Sequence, residues 1–405
     1  MEKKGPLKGI LVLDWTQWQL GPVATSMLAD LGADVIHIEH NVTGDPGRGL
    51  VTQDFLDLPN GKHSYFEVNN RGKKSMTVNL QIEAGRQVIY RLVKKADVFV
   101  HNYRQGIPEK LKVDYETLRQ YNPKLIYAAA SGFGPQGPDA EEGALDMVGV
   151  ARSGISTLLG DEDDPGIPHL GGLGDQAGAI MTAYGVMAAI VARERFGVGQ
   201  KVDTSLLMSM MAWQGLMLGK GFYLNKPTVQ LHRKTARNPL WNYYKCQDGK
   251  WIVLAMLQAQ RYWPSVCKAL GADQLISDER FKTVALREKN GPELVKVLDA
   301  IFLTKTSAEW NAIFRNGYDI ISAPVQSMNE LASDPQVIAN DYIIDCNHAE
   351  LGPVKVLGIP IALSETPGKI NPEAPEFGQN TEEVLMELGG YTWEEISELR
   401  EKQAI

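Results

Sequence analysis

Short apolar runs alternate with helical stretches through the first third of the chain, and that alternation restricts the fold more than any other feature. The runs fall at residues 10–14, 34–39, 75–80, 97–102 and 124–129, each bounded by glycine or polar residues. This is the pattern of strands buried on both faces of a sheet. Helical stretches lie between them at 23–31, 83–95 and 114–120; Pro22 stands where the first can begin and Gly32 where it ends. Parallel strands need a crossover connection, which a helix supplies, so the pattern predicts an α/β fold with a doubly wound, Rossmann-like large domain. In such a sheet ligands gather beyond the carboxyl ends of the strands, where Gln19 and the loop 40–49 should lie.

The remainder reads differently. A long Ala-rich helix at 176–195 and a short strand at 200–204 precede a Met-rich helix over 206–224. Its Met208, Met210, Met211, Trp213 and Met217 suit core or subunit-interface packing. A basic, loop-like stretch at 230–238 reads as a linker. Strands at 243–246 and 251–255 flank Asp248-Gly249, a hairpin turn signal, and helices follow at about 259–270, 291–302 and 307–315. With 405 residues the chain exceeds a single core. We therefore expect a large α/β domain at 1–224, a smaller α+β domain with its linkers at 225–325, and a return segment at 326–405 that completes the large domain. That segment should pair strands around 354–356 and 359–361, start helices near Thr381 and Thr392, and cover the first domain with Phe377, Val384, Leu385 and Leu388.

A net charge of −8 argues against nucleic acid as the main partner. No uninterrupted apolar run approaches the roughly 18 residues of a membrane span, and MEKKGPLKGI lacks a signal-peptide stretch, so a cytoplasmic protein without membrane contact is expected. Three scattered cysteines and seven dispersed histidines support neither a disulfide framework nor a metal site. Gly132 to Gly137 matches G-x-G-x-x-G, but Pro135 and Pro138 remove N–H donors, and the acidic loop 139–142 would repel a pyrophosphate. A second match, Gly172-x-Gly174-x-x-Ala177, follows a Pro-rich stretch at 165–170 rather than a strand. Neither supports a nicotinamide or flavin site.

The chemistry is expected at Gly171-Gly172-Leu173-Gly174-Asp175. Glycines let backbone approach the carboxylate, and the start of a helix favours its ionised form. Such a carboxylate can attack an activated acyl group. An aspartate at the loop-to-helix junction can equally serve as an N-cap.

Several motifs in one order resemble a known family. They are Leu13-Asp14 through Gln19-x-Gly21-Pro22, Leu31-Gly32-Ala33-Asp34-Val35-Ile36 through Glu39, Gly44-Asp45 through Arg48-Gly49, Asn70-Arg71-Gly72-Lys73-Lys74-Ser75, Ala96-Asp97-Val98 through Asn102-Tyr103, Ser131-Gly132-Phe133-Gly134, Gly174-Asp175, and Gly378 through Thr381. Together they resemble the family III CoA-transferases, the group of formyl-CoA transferase and carnitine CoA-transferase, along nearly the whole chain. The resemblance implies that Asp175 carries CoA between two acids through an aspartyl anhydride and an aspartyl-CoA thioester, with Gln19 positioning the reacting groups. Coenzyme A, brought in as acyl-CoA and without any metal, would then meet His40, Arg48, Val78, Gln81, Asn102, Tyr103 and Lys110. Trp15, Trp18 and Leu50 would flank the predicted site and suggest an apolar or aromatic acid, and the two tryptophans can equally be ordinary core. The resemblance further implies a ring-shaped chain in an interlocked homodimer, or pairing with a homologous second subunit.

Departures accompany it. His40, Gln81 and Asn380 stand where formyl-CoA transferase has arginine, lysine and histidine, and Arg237 to Asn242 replaces its glycine-rich loop. The runner-up reading, a 2-methylacyl-CoA racemase of the same fold, needs a histidine that the segment 142–146 lacks. A third is a non-catalytic subunit of a hetero-oligomeric transferase.

Overall fold

A computed structural model of the chain describes residues 5–49, 57–159, 171–230 and 232–405. Leu50 and the stretch 165–170 lie outside the described residues. The chain divides into two compact units, one formed by 1–228 with 338–405 and the other by 229–337.

In chain order the first unit holds β1 (Leu11–Trp15), α1 (Leu20–Asp30), β2 (Asp34–Glu39), α2 (Ser64–Asn70), β3 (Lys74–Thr77), α3 (Glu83–Val93), β4 (Val98–His101), α4 (Ile107–Lys110), α5 (Tyr115–Leu118), β5 (Ile126–Ser131), α6 (Asp146–Arg152), α7 (Ser156–Leu159), α8 (Leu173–Phe196), β6 (Gln200–Ser205), α9 (Leu206–Trp213) and α10 (Gly215–Leu224). The six strands are parallel, in the order β3-β2-β1-β4-β5-β6. Strand order therefore reverses between β1 and β4, the place where a doubly wound sheet opens a crevice. Alternate residues feed two cores, one per face. Leu13, Ile36, Phe99 and Tyr127 pack with Val88 and Leu92 of α3, while Val12, Val35, Val98 and Ile126 pack with Leu28 of α1 and Val186 of α8.

Helix α8 lies close to its neighbours because of two glycines. A Cβ at Gly178 would come within 2.5 Å of Leu20, and one at Gly185 within 2.7 Å of Val202. On length and composition alone α8 could cross a membrane, which a search for an uninterrupted apolar run passes over. Gly178, Ala179, Thr182, Ala183, Val186 and Ala189 are buried along it, the pattern of a core helix. The Met-rich helix, expected to be continuous, breaks at Gln214 because its amide turns inward to the carbonyls of Ser153 and Met210. Met210 is buried in that core, whereas Met208 and Trp213 are exposed.

The second unit contains β7 (Trp241–Lys245), β8 (Trp251–Ala255), α11 (Ala259–Ala269), α12 (Val284–Lys289), α13 (Gly291–Phe302), α14 (Ser307–Arg315), β9 (Ser322–Pro324) and α15 (Met328–Leu331), with α16 (Pro335–Ala339) at its edge. Strands β7, β8 and β9 form an antiparallel sheet over Tyr244, Trp263, Leu298, Phe302 and Trp310. Pairing of β9 with β8, and of Lys250 with Glu330, keeps the chain in this unit past residue 325, so the division falls at 337.

The return segment adds β10 (Ile343–His348), β11 (Gly352–Leu357), α17 (Thr381–Glu387) and α18 (Trp393–Glu401). The expected strand near 354–356 pairs upstream with β10, not with 359–361, which form no strand. The turn decides this: Nδ1 of His348 accepts from the N–H groups of Glu350 and Leu351, and Gly352 takes φ +74°. Val384, Leu385, Ile396 and Leu399 then close the core beside α3, while Phe377 remains partly exposed.

Candidate active site

The carboxyl ends of β1 and β4 are tied together at the reversal point. Asn102, just after β4, accepts from the N–H of Gln17 at 2.9 Å and donates to its carbonyl at 2.7 Å. Trp18 follows in a left-handed conformation with φ +67°, unusual for a bulky residue. Gln19 is then the N-cap of α1, and its carbonyl accepts from Val23 at 2.9 Å. Its side-chain amide fills the space above Gly172, where a Cβ would sit 2.0 Å from Nε2.

Gly172, with φ +83°, is the N-cap of α8 and offers no side-chain cap. Asp175 lies three residues further on, in the first helical turn, so a role as N-cap is not the one it plays. Its backbone N–H donates to Oδ1 of Asp146, at the start of α6, at 3.0 Å. Its carboxylate accepts no hydrogen bond among the described residues, and the N–H groups of Leu173 and Gly174 are likewise without acceptors there. Burial, then the negative charge of Asp146, pushes the Asp175 carboxyl up to about 7. Both forms are accessible near neutral pH, which suits a group that must form and break a bond. The phenol of Tyr65, buried on α2, is pushed well up by burial and then by the charge of Asp175.

The residues expected at CoA are gathered beyond the strand ends in different states. His40 is half-buried, and its Nδ1 accepts from the N–H groups of Val42 and Thr43 at 3.2 and 3.4 Å. Gln81 and Lys110 are exposed. Val78 is buried in the core with Val384 and Leu385 of α17, and its N–H donates to the Glu39 carbonyl at 2.8 Å. Tyr103 stacks on Trp15 with centroids 4.1 Å apart, and Trp15 is itself core, so Trp15 does not flank an open site. Asn102 is engaged with Gln17 through both amide atoms, a positioning arrangement.

Arg48 is paired with a carboxylate. Its Nε and Nη2 hold Glu39 at 2.7 and 2.8 Å, Nη2 also donates to the Pro375 carbonyl, and the guanidinium lies 3.7 Å over the Phe66 ring. A phosphate contact from this guanidinium would share it with the bidentate pair to Glu39. Burial would raise the Glu39 carboxyl, but Arg48 and then His37 hold it at about 2.

Asp146 and Tyr65 join this neighbourhood without being site candidates from the sequence, and Asp45 stands in the sequence only as part of the motif Gly44-Asp45 through Arg48-Gly49. Asp146 falls in the segment 142–146, where an aspartate opening a helix is the signal for it. Tyr65 carried none.

The profile of CoA-transferase family III matches residues 7–381. The chain belongs to that family. It is 30% identical over 400 residues to cinnamoyl-CoA:phenyllactate CoA-transferase of Clostridium sporogenes, covering 98% of this chain and 96% of the relative. Succinyl-CoA:glutarate CoA-transferase of Mus musculus is 32% identical over 389 residues, covering 95% and 87%. Among solved structures, Rv3272 of Mycobacterium tuberculosis superposes with a TM-score of 0.81 at 29% identity, over 94% of this chain and 99% of that one. This member of the family is accordingly a CoA-transferase acting on acyl-CoA and carboxylic acid substrates.

Proposed function

We propose that Asp175 is the covalent carrier of the transfer. The carrying observation is a half-buried carboxylate that accepts no hydrogen bond among the described residues, raised to about 7, in the first turn of a helix whose Leu173 and Gly174 N–H groups likewise have no acceptor there. Its oxygen attacks the thioester carbonyl, the C–S bond breaks, and CoA leaves as thiolate with a mixed anhydride in place. The thiolate then attacks the aspartyl carbonyl, expelling the donor acid and leaving an aspartyl-CoA thioester. The acceptor carboxylate attacks that thioester and releases the thiolate again. The thiolate takes the acceptor acyl carbon, and Asp175 is regenerated without net consumption of water or protons. Those two N–H groups and the Gln19 amide over Gly172 are donors suited to each oxyanion.

For the CoA portion, the exposed Lys110 and Gln81, half-buried His40, and Tyr103 support a site along the strand ends, with Arg48 and Asn102 shaping its loops. The substrate class is a carboxylic acid. A leaning toward aromatic acids rests on half-buried Trp18 and on the named substrates of the Clostridium relative, since Trp15 is core. A homodimer, interlocked as the family resemblance implies, is supported by α10, which has no buried residue and exposes Leu216, Phe222 and Tyr223 at 85%, 75% and 94%.

The test is intact-mass analysis after mixing with succinyl-CoA and other acyl-CoA donors, trapping with hydroxylamine or borohydride, beside Asp175→Ala. A CoA-sized adduct or modified Asp175 in the unmutated protein alone is expected. No adduct with any donor, together with solvent-proton exchange at C2 of a 2-methylacyl-CoA, overturns the reading in favour of a racemase.

A further inference from the structure

Asp45 lies in the loop after β2 and is 3% exposed. Its Oδ1 accepts from the N–H of Trp18 at 3.1 Å and from that of Gly47 at 2.8 Å. Its own N–H donates to Oε2 of Glu39 at 3.0 Å. Oδ2 faces Nε2 of fully buried His37 at 3.5 Å, an ion-pair contact longer than a formed hydrogen bond. On the other side of the imidazole, Nδ1 lies 3.1 Å from Asp14, and Lys73 donates to the same Asp14 oxygen at 2.9 Å. Buried Asp45 thus ends a chain of alternating charges that runs from Lys73 through Asp14 and His37.

The bond to Trp18 is the one with consequences. A left-handed aromatic residue costs about 1–2 kcal/mol and persists only where its surroundings impose it. Asn102 fixes Gln17 on one side, and Asp45 fixes the N–H of Trp18 itself. The next residue is Gln19, whose amide occupies the space over Gly172.

We propose that Asp45 is a positioning residue: by accepting the Trp18 N–H it holds the left-handed turn that delivers the Gln19 amide to Gly172, and so links the loop 40–49 to the chemistry at Asp175. The inference rests on the proposed role of Gln19. The charge behind Asp45 anchors the carboxylate in one orientation, so that Oδ1 stays on the Trp18 N–H.

Two readouts test it on the full chain: the rate and concentration dependence of labelling by succinyl-CoA, followed by intact mass, and amide hydrogen exchange over 16–20. Asp45→Ala should lower the saturated labelling rate at least about thirtyfold with less than a threefold change in half-saturating concentration. It should also speed exchange at the Trp18 amide. Asp45→Asn, which keeps an acceptor oxygen, should recover most of the rate. In a Trp18→Gly background, where the turn no longer needs holding, Asp45→Ala should cost less than threefold. An unchanged rate or exchange in Asp45→Ala, or an equal loss in the Trp18→Gly background, overturns the proposal. Gln19→Ala separates the two layers: if it leaves labelling untouched, the role of Gln19 has failed, whereas a slow Gln19→Ala beside a fast Asp45→Ala removes Asp45 alone. Should succinyl-CoA not label the unmutated protein, unchanged exchange in Asp45→Ala still overturns the proposal.

Discussion

The backbone N–H of Asp175 donates to the side chain of Asp146 at 3.0 Å, placing a second carboxylate close enough for its charge to act on that of Asp175. Its negative charge opposes ionisation of Asp175, which burial already disfavours, and the Asp175 carboxyl stands at about 7. Activity of the ionised form should therefore rise with pH and level off above about 7. Asp146→Asn keeps an oxygen for the N–H but removes the charge, so the acid limb of the kcat/KM profile should move to lower pH by up to about one unit. A profile that stays in place would show that burial alone sets the value.

Gly172 and Gln19 form a second dependent pair. A methyl group at Gly172 would lie 2.0 Å from Nε2 of Gln19, and φ of +83° adds about 1 kcal/mol of strain for alanine. Gly172→Ala should displace the amide and lower kcat by roughly tenfold or more, because small misplacements of a reacting geometry are expensive. Circular dichroism melts should show the fold retained. Equal kcat in the two proteins would mean that Gln19 does not act from this position.

The strand alternation was legible because burial on both faces writes a local pattern, and each of the first five predicted runs overlaps a strand of the parallel sheet. The loop-to-helix junction at Gly171 to Asp175 is legible through its glycines, although the helix begins two residues before Asp175 and makes Gly172 the cap. Pairings were not legible. Whether Arg48 faces a phosphate or Glu39 depends on where the β2 loop folds back, and nothing in the spacing of the two residues decides it. Asp146 reaches Asp175 across 29 residues, and Tyr65 comes from a helix far upstream, so their contributions arise only from the folded chain. The β10–β11 hairpin was assigned to the wrong partner because the turn at 349–351 is made by a histidine side chain, not by a standard turn dipeptide.

His37 should make stability fall in mild alkali. Burial would lower its pKa, but Asp14, Asp45 and Glu39 outweigh that and raise it to about 9, with Lys73 facing the same Asp14 oxygen. A cation whose pKa is raised on folding contributes fully below its unfolded value near 6.5 and is lost as pH climbs through 9. Urea unfolding should therefore show a decline from about pH 6.5 to about pH 9 that His37→Gln lacks. The variant should also be weaker by about 1–3 kcal/mol at about pH 6, since Asp14 and Asp45 lose the cation between them while Lys73 still holds Asp14. Identical pH dependence in both proteins would place the charge elsewhere in the cluster.

Asp175 should have the opposite relation to stability, because burial and the charge of Asp146 oppose its ionisation in the fold. Its folded pKa, about 7 against 3.8, means that the native state holds its proton more tightly than the unfolded chain does. Stability is thus undiminished below pH 3.8, declines as pH rises through 7, and carries the full penalty of the buried charge above that. Asp175→Asn should abolish covalent labelling yet unfold at higher urea at about pH 8, by about 1–2 kcal/mol after allowance for the partial solvent contact of the carboxylate. Below pH 3.8 the two proteins should converge. If Asp175→Asn is instead weaker above pH 7, the carboxylate is a structural anchor whose partners hold its charge, and its place as the nucleophile loses its physical basis.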